Sequence, residues 1–273
     1  MEERRLMTLI TDCRDDNALA RVTARLSSLL PIVPNKSIGV TNDLEAGLNI
    51  VDQLDALDGK PGIILVNVAP RNGHAKKWEN GTPFGWIQVE NTYIFGTIGD
   101  YTFSLLEKIL ARKLTVNVFD LPQAVLHFGL SEEREKYIIS TQFRSFEFLP
   151  RAAAMIVKRM GVPTEEWNEI PAVPSVVVWV DCFGNIKTSV LPEEIGFAAG
   201  KNAALKAKGL TKWLECYNRL KDIPDNSSGV IIGSSGMWVG DTNKRFLEIV
   251  INGGSAAALY KHKSGDRIEM YLY

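Results

Sequence analysis

The sequence predicts an α/β domain followed by a β-rich domain, and three observations carry that reading. Apolar strand-like runs alternate with helical periods through the first 168 residues, the pattern of a sheet with flanking helices. One of those runs, Ile63-Ile64-Leu65-Val66, is continuously apolar, as a parallel strand covered on both faces requires. After a proline-interrupted stretch between Trp167 and Pro174, short β-rich segments follow, separated by Gly, Asn, Asp and Ser. The expected layout is an N-terminal α/β domain over 1–168 with a mostly parallel sheet and flanking helices. A linker at 169–174 and a C-terminal all-β domain over 175–273, a small barrel or sandwich, complete it. A chain of 273 residues has room for two cores.

Leu6 to Thr11 is a short apolar run that stops at Asp12, and Asp15-Asp16 opens a helix with Leu19, Val22, Leu26, Leu29 and Leu30 at helical spacing. Asp12 stands at a strand's carboxyl end, where open α/β sheets place ligand contacts, whereas Asp15 and Asp16 suit helix caps. Asp43 to Leu57 carries Leu44, Leu48, Val51 and Leu54 on one helical face and is stopped by Gly59 and Pro61. Gly62 to Ala69 is the buried strand. The loop after it, Pro70 to Trp78, is basic and turn-rich, either a solvated loop or, through Arg71 and Lys76, an anion contact. His74 in that loop has no partner at metal-ligand spacing.

Trp86 to Glu90 and Tyr93 to Thr97 form a hairpin across Asn91-Thr92, and Asp100 caps a helix carrying Tyr101, Leu105 and Ile109. Leu114 to Phe119 is a further strand. His127 lies in an apolar setting that suits a hydrogen-bonded core histidine better than a catalytic base. Glu132 to Lys136 reads as a solvated helical turn, and Ser140 to Phe148 leads into a helix with Ala152, Ala153, Ile156 and Met160. In the second half, strands are expected over 175–190, 229–234, 246–251 and 266–272. Ser175 to Val190 reads as strand, tight turn and strand. By spacing alone it is an ordinary hairpin closed by Asp181 and Asn185, whose polar groups at a strand end could also face a ligand. Asn252-Gly253-Gly254-Ser255-Ala256 is a second turn whose glycines permit close backbone approach.

Lys plus Arg number 31 against 32 Asp plus Glu, so the charge balance offers no footprint for nucleic acid or an acidic membrane surface. Cys13, Cys182 and Cys216 are widely spaced, forming neither a disulfide framework nor a structural zinc site, which suits a reducing cytoplasm. No signal sequence or membrane span is expected, because the apolar run after the charged first residues is short and soon interrupted by Asp12. P-loop, G-x-G-x-x-G, H-E-x-x-H and G-x-S-x-G motifs are absent from the sequence.

Asp181-Cys182-Phe183-Gly184-Asn185-Ile186-Lys187-Thr188-Ser189-Val190 resembles a known signature, Asp-x-Phe-Gly-Asn-x-x-Thr-Asn-Ile. That signature opens the C-terminal domain of the S-adenosylmethionine hydroxide adenosyltransferases and their fluorinase and chlorinase relatives. Leu9-Ile10-Thr11-Asp12 is similar to the family's opening strand, and Ser140 to Ala154 to its Ser-x-Phe-His-Gly-Arg-Asp segment. Phe246 to Ala257 is similar to its closing strand and Gly-Ser-Ala turn. The resemblance implies a C-terminal β-barrel, a homotrimer, and S-adenosylmethionine as substrate or ligand, with no further cofactor and no metal. It places that ligand between the N-terminal domain of one subunit and the C-terminal domain of the next. Asp12 would hold the ribose hydroxyls, Asp181 and Ser235 the methionine end, and Phe183, Asn185 and the backbone around Ser255 and Ala256 the adenine.

The implied chemistry is displacement at the ribose C5′ carbon, where a water-derived or halide nucleophile expels neutral methionine from a sulfonium. The family's hydrolases orient and deprotonate water with an Asp, an Arg and a His. Those positions fall here at Ala69, Lys76 and Arg144. Arginine cannot act as a base near neutral pH, and cations at 71, 76 and 144 would favour an anionic nucleophile or ligand. The leading expectation is an adenosyl-ligand protein with altered or lost hydrolase activity. One alternative is a non-catalytic sensor or interaction protein of the same fold. Another is an unrelated α/β enzyme using loop 71–77 to bind phosphate.

Overall fold

The computed structural model describes residues 4–69 and 81–273. The chain divides into two compact units, Met1–Phe103 with Arg112–Ile170, and Ser104–Ala111 with Pro171–Tyr273. The first unit opens with β1 (Arg5–Thr11), α1 (Asp16–Ser27), β2 (Ile32–Pro34), β3 (Ile38–Gly39) and α2 (Asp43–Leu57). It continues through β4 (Gly62–Asn67), β5 (Phe84–Val89) and β6 (Thr92–Thr97). Helix α3 (Ser104–Leu110) belongs to the second unit; β7 (Val116–Phe119), α4 (Leu121–Val125), α5 (Glu132–Ser140), α6 (Arg144–Glu147), α7 (Leu149–Val157) and β8 (Thr164–Trp167) return to the first.

These strands form one sheet in the order β2-β1-β4-β6-β5-β7-β8, with β3 also on β1. Pairing is parallel from β2 and β3 through β1 and β4 to β6, then antiparallel for β6–β5, β5–β7 and β7–β8. The sheet is therefore mixed, which corrects the expectation of a mostly parallel one. The cause is local: Glu90 takes a left-handed φ of 50° in a two-residue turn, so β5 folds back on β6. The turn falls at Glu90-Asn91, one residue earlier than expected. Strand β8 has no counterpart in the sequence reading, because Thr-Glu-Glu-Trp contains no apolar run; its pairing with β7 supplies what the pattern lacks.

Both faces of β1 and β4 are covered, as the unbroken apolar run requires. Met7, Leu9, Ile63 and Leu65 join the core cluster of α1 and α7, whereas Thr8 on the opposite face donates from its hydroxyl to Gln53 of α2 at 3.1 Å. Helix α2 begins as the sequence predicts: Asn42 accepts from Glu45 N at 3.0 Å, and the Glu45 carboxylate accepts from Thr41 N at 2.6 Å. Helix α3 starts later than the expected Asp100 cap. In the preceding turn, Tyr101 N donates to Asp43 at 2.6 Å, and burial raises the Asp43 pKa. His127 is exposed rather than in the core, its Nδ1 2.9 Å from the Gln123 carbonyl oxygen at the end of α4.

The second unit holds α3, β9 (Val177–Val180), β10 (Ile186–Thr188), α8 (Pro192–Ile195), β11 (Asn202–Ala207) and β12 (Leu210–Tyr217). It ends with β13 (Ser228–Val239), β14 (Thr242–Ile251), α9 (Ala256–Tyr260) and β15 (Glu269–Leu272). Its sheet runs β15-β11-β12-β13-β14-β10-β9 and curls into a half-barrel. The two ends approach through the Val176–Arg267 bridge and a 2.9 Å bond from Val177 N to Asp266 O. The short helices mean the unit is not strictly all-β. Lys108 ties α3 to it, donating to Ser189 O at 2.6 Å and pairing with Glu194 at 2.7 Å. The β11–β12 hairpin was not expected from sequence, since its charged residues obscure the strand pattern. Its turn at Lys208-Gly209 has φ of 52° and 77°, the left-handed pair that matches strand twist.

Lys187 and Glu248 face each other across β10 and β14 and form a buried ion pair at 2.5 Å, with side-chain exposures of 6% and 7%. The Lys187 ammonium also donates to Ser234 Oγ, and Ser234 N donates to Glu248, each at 2.9 Å. Cys216 lies in the half-barrel core, where burial, with Glu215 adding to it, pushes its thiol pKa up to about 11. Cys13 and Cys182 are exposed. A thiol reagent at pH 8 is therefore expected to titrate two cysteines rapidly in the native protein and the third only on denaturation. Rapid reaction of all three would show that Cys216 is accessible. Among the described residues, no helix is long and apolar enough to cross a membrane.

Candidate functional site

The turn between β9 and β10 is built by Asp181. One carboxylate oxygen accepts from the backbone N–H groups of Phe183 and Asn185, each at 2.9 Å, and the other accepts from Asn185 Nδ2 at 2.9 Å. Asp181 thus braces its own turn, leaving Phe183 as its exposed feature at 75%. Gly184 has φ of 82°, and a Cβ there would overlap Ser255 Oγ. Its carbonyl accepts from Ala257 N at 2.9 Å.

Two segments some 70 positions apart meet for a simple reason. Because β10 pairs antiparallel with β14, the residues before β10 lie beside those after β14. Ser255 then caps α9 by accepting from Ala258 N at 3.1 Å. The structure therefore brings together five predicted residues: Asp181, Phe183, Asn185, Ser255 and Ala256. Ser235 is not with them. It is 3% exposed, at the register shift in β13, where Gly236 opposes Arg245 while Ile186 opposes Ile249. Those positions differ by four residues on β14, ~13 Å at ~3.3 Å per residue.

In the first unit, Asp12 follows β1 and accepts from Ala69 N at 3.2 Å, tying the carboxyl ends of β1 and β4 together. Thr11 Oγ1 accepts from Cys13 N at 3.0 Å and from Asn67 Nδ2 at 3.4 Å. Around these groups lies a crevice of about 300 Å³ bordered by Thr11, Cys13, Asn67, Arg21, Phe143 and Phe146. It occupies the sheet edge where α/β folds bind ligands. Arg21 lies over the Phe146 ring at 4.1 Å, with Arg25 over the same ring at 4.5 Å. Sequence reasoning missed Asn67 and the two phenylalanines; the one available signal was the polar Asn67 ending an apolar run. Arg144 lies beside Gly81 and Phe84, and burial lowers its pKa. Ala69 is exposed and offers only a methyl group and its N–H. Arg71, His74 and Lys76, with the 71–77 loop proposed for phosphate, lie outside the described residues.

No cluster of three or more His, Cys, Asp or Glu among the described residues could hold a metal ion. His262 pairs with Asp266 at 3.2 Å, and Lys208 pairs with the same carboxylate at 2.7 Å. With His127 exposed just after α4, neither described histidine belongs to the crevice lining.

Residues 175–269 match the model of the SAM hydroxide adenosyltransferase C-terminal domain. The C-terminal domain is thus similar to that of the SAM hydroxide adenosyltransferases. Its match takes in the Asp181 turn, the Lys187–Glu248 pair and the Ser255 cap, so the resemblance of the signature extends over a whole domain. Two solved structures share the fold of the full chain. One, an uncharacterized conserved protein from Thermotoga maritima, has a TM-score of 0.69 at 14% identity, covering 97% of this chain and 99% of its own. The other, a conserved hypothetical protein from Thermus thermophilus, has a TM-score of 0.64 at 16% identity, covering 99% and 100%. No curated protein matches the chain.

Proposed function

We propose that the protein binds an adenosyl ligand, with the SAM hydroxide adenosyltransferase C-terminal domain supplying the adenine contacts. The observation that carries this reading is the docking of the Phe183-Gly184-Asn185 turn onto Ser255, inside the matched domain. Phe183 offers an exposed aromatic face for a base, and the neighbouring backbone offers hydrogen bonds to its edge. Asp12 would hold the ribose hydroxyls. Asp181 braces the turn with both oxygens, and the one bonded only to Asn185 Nδ2 retains accepting capacity with which it would hold the methionine end. S-adenosylmethionine is the proposed substrate, with displacement at C5′ releasing methionine. The homotrimer, the placing of the ligand between subunits and the cytoplasmic setting belong to the same proposal and rest on the resemblance and composition alone.

Calorimetry with adenosine and S-adenosylmethionine tests binding, and chromatography after incubation with S-adenosylmethionine, with and without chloride, tests turnover. Phe183→Ala is expected to weaken adenosine binding roughly tenfold, the scale of one lost aromatic stacking contact. Absence of binding by either ligand would sink the assignment.

A second reading, a non-catalytic binder, is favoured by the residues at the water-activating positions. Ala69 has no carboxylate, and Arg144 cannot accept a proton near neutral pH. Binding without adenosine or chlorodeoxyadenosine as product would select it.

A further inference from the structure

We infer that Arg144 and Thr82 form a subsite for a carboxylate group in the N-terminal unit. The inference rests on the adenosyl reading and deepens it by giving the chemistry of a second group bound there. Arg144 is half-buried on the four-residue helix α6. Among the described residues, its guanidinium makes only a long 3.5 Å bond to Gly81 O and a face contact 5.9 Å from the Phe84 ring centroid. Burial is the cause of its lowered pKa, and no carboxylate among the described residues offsets it. Arg151, seven residues further on, shows the contrasting case: its guanidinium pairs with Glu147 at 2.9 Å and is structurally satisfied.

Gly81 makes room for this cation. Its φ is 72°, and a Cβ there would overlap Arg144 Nη2. The next residue, Thr82, is 4% exposed, and its hydroxyl has no hydrogen-bond partner among the described residues. A buried hydroxyl is ordinarily satisfied, so one without a partner on the residue that follows Gly81, against which the uncompensated guanidinium packs, marks a place for an acceptor. A carboxylate fits both features. Its two oxygens match the planar guanidinium fork, its single negative charge balances one arginine, and it has a further lone pair for the threonine. A phosphate dianion would leave one charge uncompensated by these two groups.

The carboxylate could be a free small acid or the carboxylate of S-adenosylmethionine, and the test separates the two. Sodium formate, compared with sodium chloride at equal ionic strength, is expected to raise the melting temperature of the wild type in a saturable way. Arg144→Gln should weaken formate binding tenfold or more, and Arg144→Lys should restore part of it. Thr82→Val should weaken the response while leaving the unliganded protein at least as stable, which excludes a folding defect as the cause. By calorimetry, tighter binding of S-adenosylmethionine than of adenosine, with the difference cancelled in Arg144→Gln, would assign the carboxylate to the adenosyl ligand. Equal affinities alongside formate protection would assign it to a free acid. If neither adenosyl compound binds, the proposed function fails while the formate arm still decides the subsite. Formate and S-adenosylmethionine responses in Arg144→Gln equal to those of the wild type would overturn it.

Discussion

Gly184→Ala is expected to destabilise the C-terminal unit by about 2–4 kcal/mol and to reduce adenosine binding below detection. The backbone alone contributes about 1–2 kcal/mol, the cost of a left-handed φ at a residue with a Cβ. The remainder comes from Ser255, whose Oγ sits where the new methyl would go and which must shift to admit it. Moving Ser255 also weakens its cap on α9, a contribution of about 1 kcal/mol in typical helices. Gly196 is the control: its φ is 67°, yet nothing lies within 4 Å of a Cβ there. Gly196→Ala should therefore show only the backbone cost. Urea denaturation of the two variants, with calorimetry for adenosine, separates strain from overlap. Equal stability losses at both positions would mean that the contact with Ser255 carries no energy.

The second large effect lies in the sheet behind that turn. Lys187→Met is expected to cost about 3–5 kcal/mol, because it leaves the Glu248 carboxylate buried without its cation. Ser234 cannot replace the lysine, since its hydroxyl and N–H carry no full charge. The double variant Lys187→Met with Glu248→Leu should recover most of the loss, as apolar replacements of buried pairs commonly do. Additive losses in the double variant would indicate that packing rather than charge governs the site. A double-mutant cycle by urea denaturation measures the coupling directly.

Much of the candidate site was legible one segment at a time. The Asp181 turn was readable because Asp, Gly and Asn at that spacing have local backbone requirements that no distant residue alters. Asp12 was readable as the polar stop of an apolar strand. His127 was misread for the opposite reason: an apolar neighbourhood in sequence says nothing about which side of a short helix faces solvent. Asp181 shows a further limit. Its position at a strand end was visible, but the use of both its oxygens inside the turn depends on backbone geometry that only the folded loop displays.

What the sequence by itself determined were elements with a strong local code. Helix α2 has its apolar period and its Gly59 and Pro61 stop, β4 its unbroken apolar run, and the 181–185 turn its glycine. Tertiary structure alone decided the rest. Pairing decided β8, which has no apolar run, and the β11–β12 hairpin, whose buried Ala203, Leu205, Leu214 and Cys216 are masked in sequence by charged neighbours. The antiparallel register of β10 on β14 set Gly184 against Ser255 and Lys187 against Glu248. Packing of the 143–146 turn gave the crevice its two phenylalanines and left Arg144 beside Gly81. Those features are contacts between residues far apart in the chain. Their energy comes from burial and pairing, which no local sequence pattern encodes.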